Sequence, residues 1–180
     1  MGTKKHLAVT LKELMQTEPV DKITINQLTS AANVARNTFY YHFEDINSLL
    51  EYIYAQEIVI QLHAYKQEQN WQDGLKVLLD YISNNRKFCL NTFRSVNRGL
   101  LEHFLYRVAF DMVTGVVEDL HPHCPDKLHD EIGNFYGLAL SNQVIQWLTT
   151  DLQESKNEFC QRMNRMLCGS INNVVEHNQE

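Results

Sequence analysis

Glycine and proline are scarce in this chain of 180 residues, at seven and three. A chain so poor in turn formers must travel in long elements, and its apolar residues recur at helical spacing. No apolar run approaches the roughly 20 residues needed to span a bilayer, so no membrane partner is expected. The N-terminal stretch is amphipathic and lacks a small-residue cleavage site; it does not read as an export signal, and the expected compartment is the cytoplasm. None of the four cysteines (Cys89, Cys124, Cys160, Cys168) forms a CxxC pair, and free thiols are expected. Gly-rich phosphate loops, GxSxG elbows and clustered carboxylates are missing, which argues against an enzyme and gives no reason to expect a cofactor. His121, His123, Cys124 and His129 gather metal-capable groups. Prolines interrupt them and their spacing matches no zinc pattern, so no metal is assigned and a solvated loop is expected.

What is present is a hydrophobic fraction of 44%, enough for a packed core. The expected fold is all-α, with an N-terminal three-helix domain over residues 1–48 and a C-terminal helical bundle over 49–180. The formal net charge of −6 is unevenly spread. Residues 1–50 hold five basic and five acidic side chains, so the whole imbalance lies beyond them. From Asn26 to Phe43 there is an arginine, Arg36, and no acid. Local sign governs contact with phosphates more than total charge does, so this neutral head is the part fit to approach DNA.

Leu7, Leu11, Leu14 and Met15 predict a first helix over 4–17, ended by Glu18-Pro19. Thr24 followed three residues later by Gln27 is a capping-box pattern. It opens a short helix over 25–32 that turns Leu28, Ala31 and Ala32 inward. Asn33 can adopt the left-handed conformation of a tight turn, Val34 plugs that turn, and a third helix follows over 36–41. Asp45 is an N-cap for the next helix, which turns Ile46, Leu49, Leu50, Ile53 and Tyr54 inward. Two short helices joined by a tight turn make a helix-turn-helix. The second fits the major groove, where Ala35, Arg36, Asn37 and Thr38 form its leading edge. Arg36 can donate two hydrogen bonds to guanine, and Asn37 can pair with adenine. Tyr40, Tyr41 and His42 can donate to phosphates behind that edge, and Thr24 marks a helix start where phosphates bind. Phe39 and Phe43 are assigned to the core. The two tyrosines and the histidine cannot all face inward.

Thr24-Ile25-Asn26-Gln27-Leu28, Ala32-Asn33-Val34, Thr38-Phe39-Tyr40-Tyr41-His42-Phe43 and Leu49-Leu50 together resemble the N-terminal signature of TetR-type regulators. The resemblance covers about residues 4–54. It implies an all-helical dimer with a three-helix DNA-binding head and a helical ligand-binding body. It also implies base readers at Arg36, Asn37 and Thr38, and phosphate contacts at Thr24, Tyr40, Tyr41 and His42. Three positions depart from the pattern. Ala35 stands where the family usually has a polar residue, Asn33 where it often has glycine, and Ile46 where it usually has a phosphate-contacting lysine. The expected interface therefore relies on hydrogen bonds and fit more than on bulk charge. Trp71-Gln72 with Leu78-Leu79, Tyr81-Ile82 and Asn85 is similar to a branch of that family that includes dihydroxyacetone-kinase operon regulators; no ligand is carried over from it.

Beyond the head, one long helix is expected over 45–69, another from Trp71 to a break at Asn84-Asn85, and further helices to Leu120. A loop over His121–Pro125 precedes two long helices, over 126–150 and 155–175. The aromatics Tyr81, Phe88, Phe93, Phe104, Phe110 and Trp147, with His103, can line an effector pocket or simply form core. Gly133, Gly137 and Ser141 are four apart and let another helix approach closely. Phe159, Met163, Met166 and Leu167 form an apolar stripe on the last helix. Packing within the chain and against a second copy are both compatible with these faces, and two half-sites normally require a dimer. The expected function is a sequence-specific DNA-binding regulator, a repressor released from a palindromic operator by a small-molecule or protein effector. The alternative is a co-regulator controlled by protein interaction without a small ligand.

Overall fold

The expectation of helix is met along the chain. The computed structural model describes residues 2–150 and 152–178 and, among them, contains no strand. The elements are α1 (Thr3–Leu14), a 3-10 turn (Val20–Lys22), α2 (Ile25–Ala31), α3 (Arg36–His42) and α4 (Ile46–Tyr54). A π-helical stretch (Ala55–Val59) then leads to α5 (Ile60–Leu62). After these come α6 (Trp71–Asn84), α7 (Arg86–Arg94), α8 (Arg98–Leu120), α9 (Asp126–Thr149), α10 (Lys156–Leu167) and α11 (Ser170–His177). Packing groups them into two units, one of Met1–Ile60 with Asn85–Phe104 and one of Gln61–Asn84 with Leu105–Glu180. The segment 85–104, expected in the C-terminal domain, thus packs with the helix-turn-helix.

In the first unit the core is built from Leu7, Leu11, Leu28, Phe39, Leu49 and Leu50, all fully buried. Burial of a side chain the size of Phe39 contributes about 1.5–3 kcal/mol. Tyr54 is buried between the rings of Phe88 at 5.1 Å and Phe104 at 4.6 Å. Its hydroxyl bonds Thr92 Oγ1 at 3.2 Å. Burial pushes the Tyr54 hydroxyl well above its ordinary pKa. Asn91 on α7 serves three backbone groups at once. Its amide donates to Met15 O at 2.9 Å and Glu18 O at 2.7 Å, and its oxygen accepts from Val20 N at 2.8 Å. Those groups lie where α1 has ended and no helix satisfies them, so one side chain fixes the exit of α1. Lys12 bonds Glu57 in the π-helical stretch at 2.6 Å and Asn85 Oδ1 at 2.8 Å.

The structure departs from several local expectations. Ala31 is exposed, and Leu28 and Ala32 carry the inward face of α2. The capping box is half made. Gln27 N donates to Thr24 Oγ1 at 3.1 Å, but the Gln27 side chain turns to the Glu18 carboxylate instead of the Thr24 backbone. Asp45, by contrast, makes a full reciprocal cap with Ser48. The helix expected over 45–69 ends at Leu62.

In the second unit Val113, Val116, Val117, Ile132, Ile171 and Val175 form the core, with Trp71 and Tyr136 packed against it. The turn after α5 is held by Asn70, which donates to Ala64 O at 2.9 Å and accepts from Gln67 N at 3.0 Å. The helix expected over 155–175 is broken at Gly169, whose φ of +73° places it in the left-handed region that suits glycine. Arg162 grips Glu154 through two bonds at 2.9 and 2.7 Å, which draws the Glu154 carboxyl below its ordinary range.

Candidate nucleic-acid interface

The turn between α2 and α3 is made by the backbone. Asn33 takes φ +51°, and Val34 N donates to Thr29 O at 3.0 Å. A non-glycine residue in that region is uncommon, and asparagine is among those that tolerate it best. Ala35 begins α3 with an extended backbone and no side-chain cap, as its methyl group dictates. The hydrophobic side of α3 is Phe39, 0% exposed, followed by Phe43, 6% exposed. Anchoring these two rings turns the rest of the helix outward.

Arg36, Asn37, Tyr40 and Tyr41 are exposed, Tyr41 to 84%, while Thr38 and His42 are half-buried. Thr24 and Ala35 are exposed as well. The phenol donors of this exposed tyrosine pair suit phosphate oxygens. The Arg36 guanidinium donates to Tyr40 Oη at 3.0 Å and lies 5.5 Å from its ring. This holds the arginine extended along α3, with its remaining N–H groups available to donate to a base edge.

A cation outside the expected contact set stands nearby. Lys4, exposed on α1, has its ammonium 5.9 Å from the Phe43 ring and 5.8 Å from the Tyr52 ring. It sits beside Phe43 at the end of α3, three residues before Ile46, where the usual lysine is missing. The lysine pair Lys4-Lys5 was the available signal.

The residues weighed for an effector pocket do not line one cavity. Phe88 and Phe104 pack on Tyr54 in the first unit, Phe93 carries Arg98 over its ring at 4.4 Å, and His103 is exposed. Tyr81 is buried, Phe110 packs beside Gly133 and Gly137, and Trp147 packs against Phe159 at 5.8 Å. The second unit instead holds a cavity of about 100 Å³ lined by Trp71, Gln72, Met112, Val116, Asn164 and Leu167, among others. Gln72 donates to Asn164 Oδ1 at 2.9 Å at its edge.

The small-residue stripe is filled from within the chain. A Cβ on Gly133 would stand 2.5 Å from Thr114 Cγ2 and 2.8 Å from Phe110, and one on Gly137 would stand 3.1 Å from Phe110 Cα. Ser141 is buried too, as are Phe159 and Met163. Leu167 is half-buried at the cavity, and Met166 is the exposed member of the stripe. The uncovered apolar groups of α9 are Phe135, 69% exposed, and Leu138, 48% exposed. Among the described residues, His121, His123, Cys124 and His129 do not assemble with others into a group able to hold a metal. His129 instead lies 3.4 Å from the Glu118 carboxylate. The cysteines are free, and burial pushes the Cys89 thiol up to about 12.

Residues 9–53 match the family described as bacterial regulatory proteins, tetR family, and residues 69–169 match one described as transcriptional regulator C-terminal region. Over 91 residues the chain is 29% identical to the HTH-type dhaKLM operon transcriptional activator DhaS of Lactococcus lactis subsp. lactis (strain IL1403). That match covers 51% of this chain and 49% of the relative, so the chain spans about half the length of the curated protein it matches. A solved structure titled dihydroxyacetone kinase operon activator DhaS aligns with a TM-score of 0.73 over 94% of this chain and 96% of that one, at 22% identity, which is a likeness of fold. Among the described residues no helix is long and apolar enough to cross a membrane.

Proposed function

Because the chain belongs to the TetR family of bacterial regulatory proteins, we propose that it binds a palindromic operator as a homodimer and governs transcription of one operon. The observation that carries this reading is α3. Its Phe39 is fully buried, and Arg36, Asn37, Tyr40 and Tyr41 are held outward together. That is the arrangement direct base readout and phosphate anchoring need. Thr24, Ala35, Thr38 and His42 complete the contact set.

The dimer is supported by the exposed Phe135 and Leu138 on α9 and Met166 on α10. This revises the surface expected from sequence, since Gly133, Gly137, Ser141, Phe159 and Met163 are already occupied within the chain. The curated relative is named as a transcriptional activator of the dhaKLM operon, and the solved structure as an activator of a dihydroxyacetone kinase operon. We therefore carry activation, in place of repression, to this chain, and take such an operon as the first target. A gel shift with the duplex upstream of that operon tests the reading. A protein–DNA complex at nanomolar protein, lost when the palindrome is scrambled, is the expected result; no complex with any upstream duplex defeats it.

Control by an effector has two forms. A small molecule in the cavity of the second unit is the first. That cavity, about 100 Å³, is below the roughly 300–1,000 Å³ of pockets for drug-sized ligands and suits only a molecule of a few heavy atoms. The second form needs no cavity. A protein partner then controls DNA binding, as in the co-regulator alternative. Adding dihydroxyacetone alone, and then cell extract, to the gel shift separates the two. A change with the small molecule supports the first form, and a change only with extract supports the second.

A further inference from the structure

We propose that Lys87, Arg94 and Arg98 form a second phosphate-binding patch, contacting the DNA backbone beside the helix-turn-helix. The inference rests on the DNA-binding reading above. From Tyr81 to Leu101 the chain holds four basic residues (Arg86, Lys87, Arg94, Arg98) and no acidic one, within a protein whose net charge is −6. That run is the opposite of its surroundings. It is also placed with the DNA-binding head, since residues 85–104 pack in the same unit as residues 1–60.

The attachment is specific. The Asp21 carboxylate accepts the Val96 backbone N–H at 3.2 and 3.3 Å. Asn91 ties α7 to Met15, Glu18 and Val20. The loop from Arg94 to Arg98 is thereby locked to the segment that runs into α2. Asp21 is three residues from Thr24, a span of at most about 10 Å. Duplex DNA carries one charge per about 1.7 Å of axis, so a backbone anchored at Thr24 has several phosphates within such a span.

The side chains are suitably exposed. Lys87 and Arg94, seven apart on α7, line one groove. Among the described residues neither makes an ion pair. Arg98 is exposed, steadied by Glu102 at 2.7 Å and by the Phe93 ring at 4.4 Å. Glu18 and Asp21 line the same groove, with their carboxylates already engaged by Gln27 and by the Val96 N–H, so Lys87 and Arg94 are left to supply the charge that Ile46 does not. An acidic protein is the competing occupant, and the exposed Val96 would be its apolar anchor. The shared unit and the bond to the segment entering α2 favour DNA.

The test is the salt dependence of duplex binding by the full chain, followed by fluorescence anisotropy between about 50 and 300 mM salt. The protein is compared with Lys87→Gln/Arg94→Gln and with the triple variant that adds Arg98→Gln, each shown folded by its melting curve. Each lost contact should lower the slope of log affinity against log salt by about 0.9, with the preference for the operator over a single-base variant unchanged. An unchanged slope overturns the inference. If operon expression nevertheless falls in that case, the patch serves an acidic protein instead. If the unaltered chain binds no duplex, the DNA-binding reading fails first and takes this one with it.

Discussion

Helices α3 and α9 break the rule of polar outside and apolar inside in opposite ways. On α3 the aromatic Phe39 is fully buried, while Tyr41 and Tyr40 face outward with Arg36 and Asn37. On α9 three small residues, Gly133, Gly137 and Ser141, are turned inward, and the large Phe135 and Leu138 are left out. A buried small residue reports a neighbour already present in the chain; an exposed large one reports a neighbour still missing. The chemistry of the exposed set says what the missing neighbour is. Hydrogen-bonding groups on α3 call for nucleic acid, and apolar groups on α9 call for protein.

The largest expected effect attacks the buried side of α3. Phe39→Ala removes a fully buried ring and should cost about 3–5 kcal/mol, read from urea or thermal unfolding. DNA binding should vanish with it, although Phe39 touches no base. A protein that melts as before and still loses binding would show that Phe39 itself meets DNA. The next effect separates the two sides of α9. Gly133→Val should destabilise by roughly 1–3 kcal/mol, because its Cβ would strike Thr114 and Phe110. Phe135→Asp should leave unfolding of the isolated chain nearly unchanged and shift the sedimentation profile to monomer. If Gly133→Val dissociates the dimer and Phe135→Asp does not, the assignment of the faces is reversed.

Legibility in the sequence follows the same division. The helix-turn-helix could be read because each of its parts is fixed locally. Asn33 makes the turn through its own backbone preference, Asp45 caps α4 within its own first turn, and Phe39 repeats with Phe43 at one helical turn. The breaks in the body are fixed by tertiary contact. The stretch 63–70 contains no glycine or proline, yet the chain leaves the helix at Leu62. Gly115 lies so close there that a Cβ would stand 2.7 Å from Lys66 O, and Asn70 closes the turn. Gly169 could have been read as a stop, but the apolar stripe from Phe159 to Val175 continues through it at helical spacing. The choice between pocket and core stayed open in the sequence for a related reason. Phe88, Phe104 and Trp147 are large enough to line a cavity, and size equally suits them to fill one.

Within the DNA-facing set, base reading and phosphate anchoring should differ in kind. Arg36→Ala should cost about 1–3 kcal/mol and relax the preference at one base position, measured by competition with single-base variants of the operator. Tyr41→Phe should cost only about 0.5–1.5 kcal/mol, and equally for every duplex, because it removes one neutral donor. A Tyr41→Phe variant with altered base preference would move Tyr41 from the anchoring role to the reading one.

The smallest effect contrasts how the two regions hold their arginines. Arg36 is held by a phenol, and Arg162 by the carboxylate of Glu154. Only the second hold can be undone by mild acid. The Arg162 bonds lower the Glu154 pKa in the folded chain, so the stabilisation is complete above the unfolded carboxyl value of about 4.3 and disappears as pH falls through the folded one. The pair is partly exposed, which limits its worth to about 0–1 kcal/mol. Glu154→Gln should therefore be slightly less stable than the unaltered chain near neutral pH, with the gap closing towards about pH 3. A gap that stays constant over that range would mean that Glu154 stabilises through its packing and hydrogen bonds, which glutamine weakens at any pH, and not through its charge.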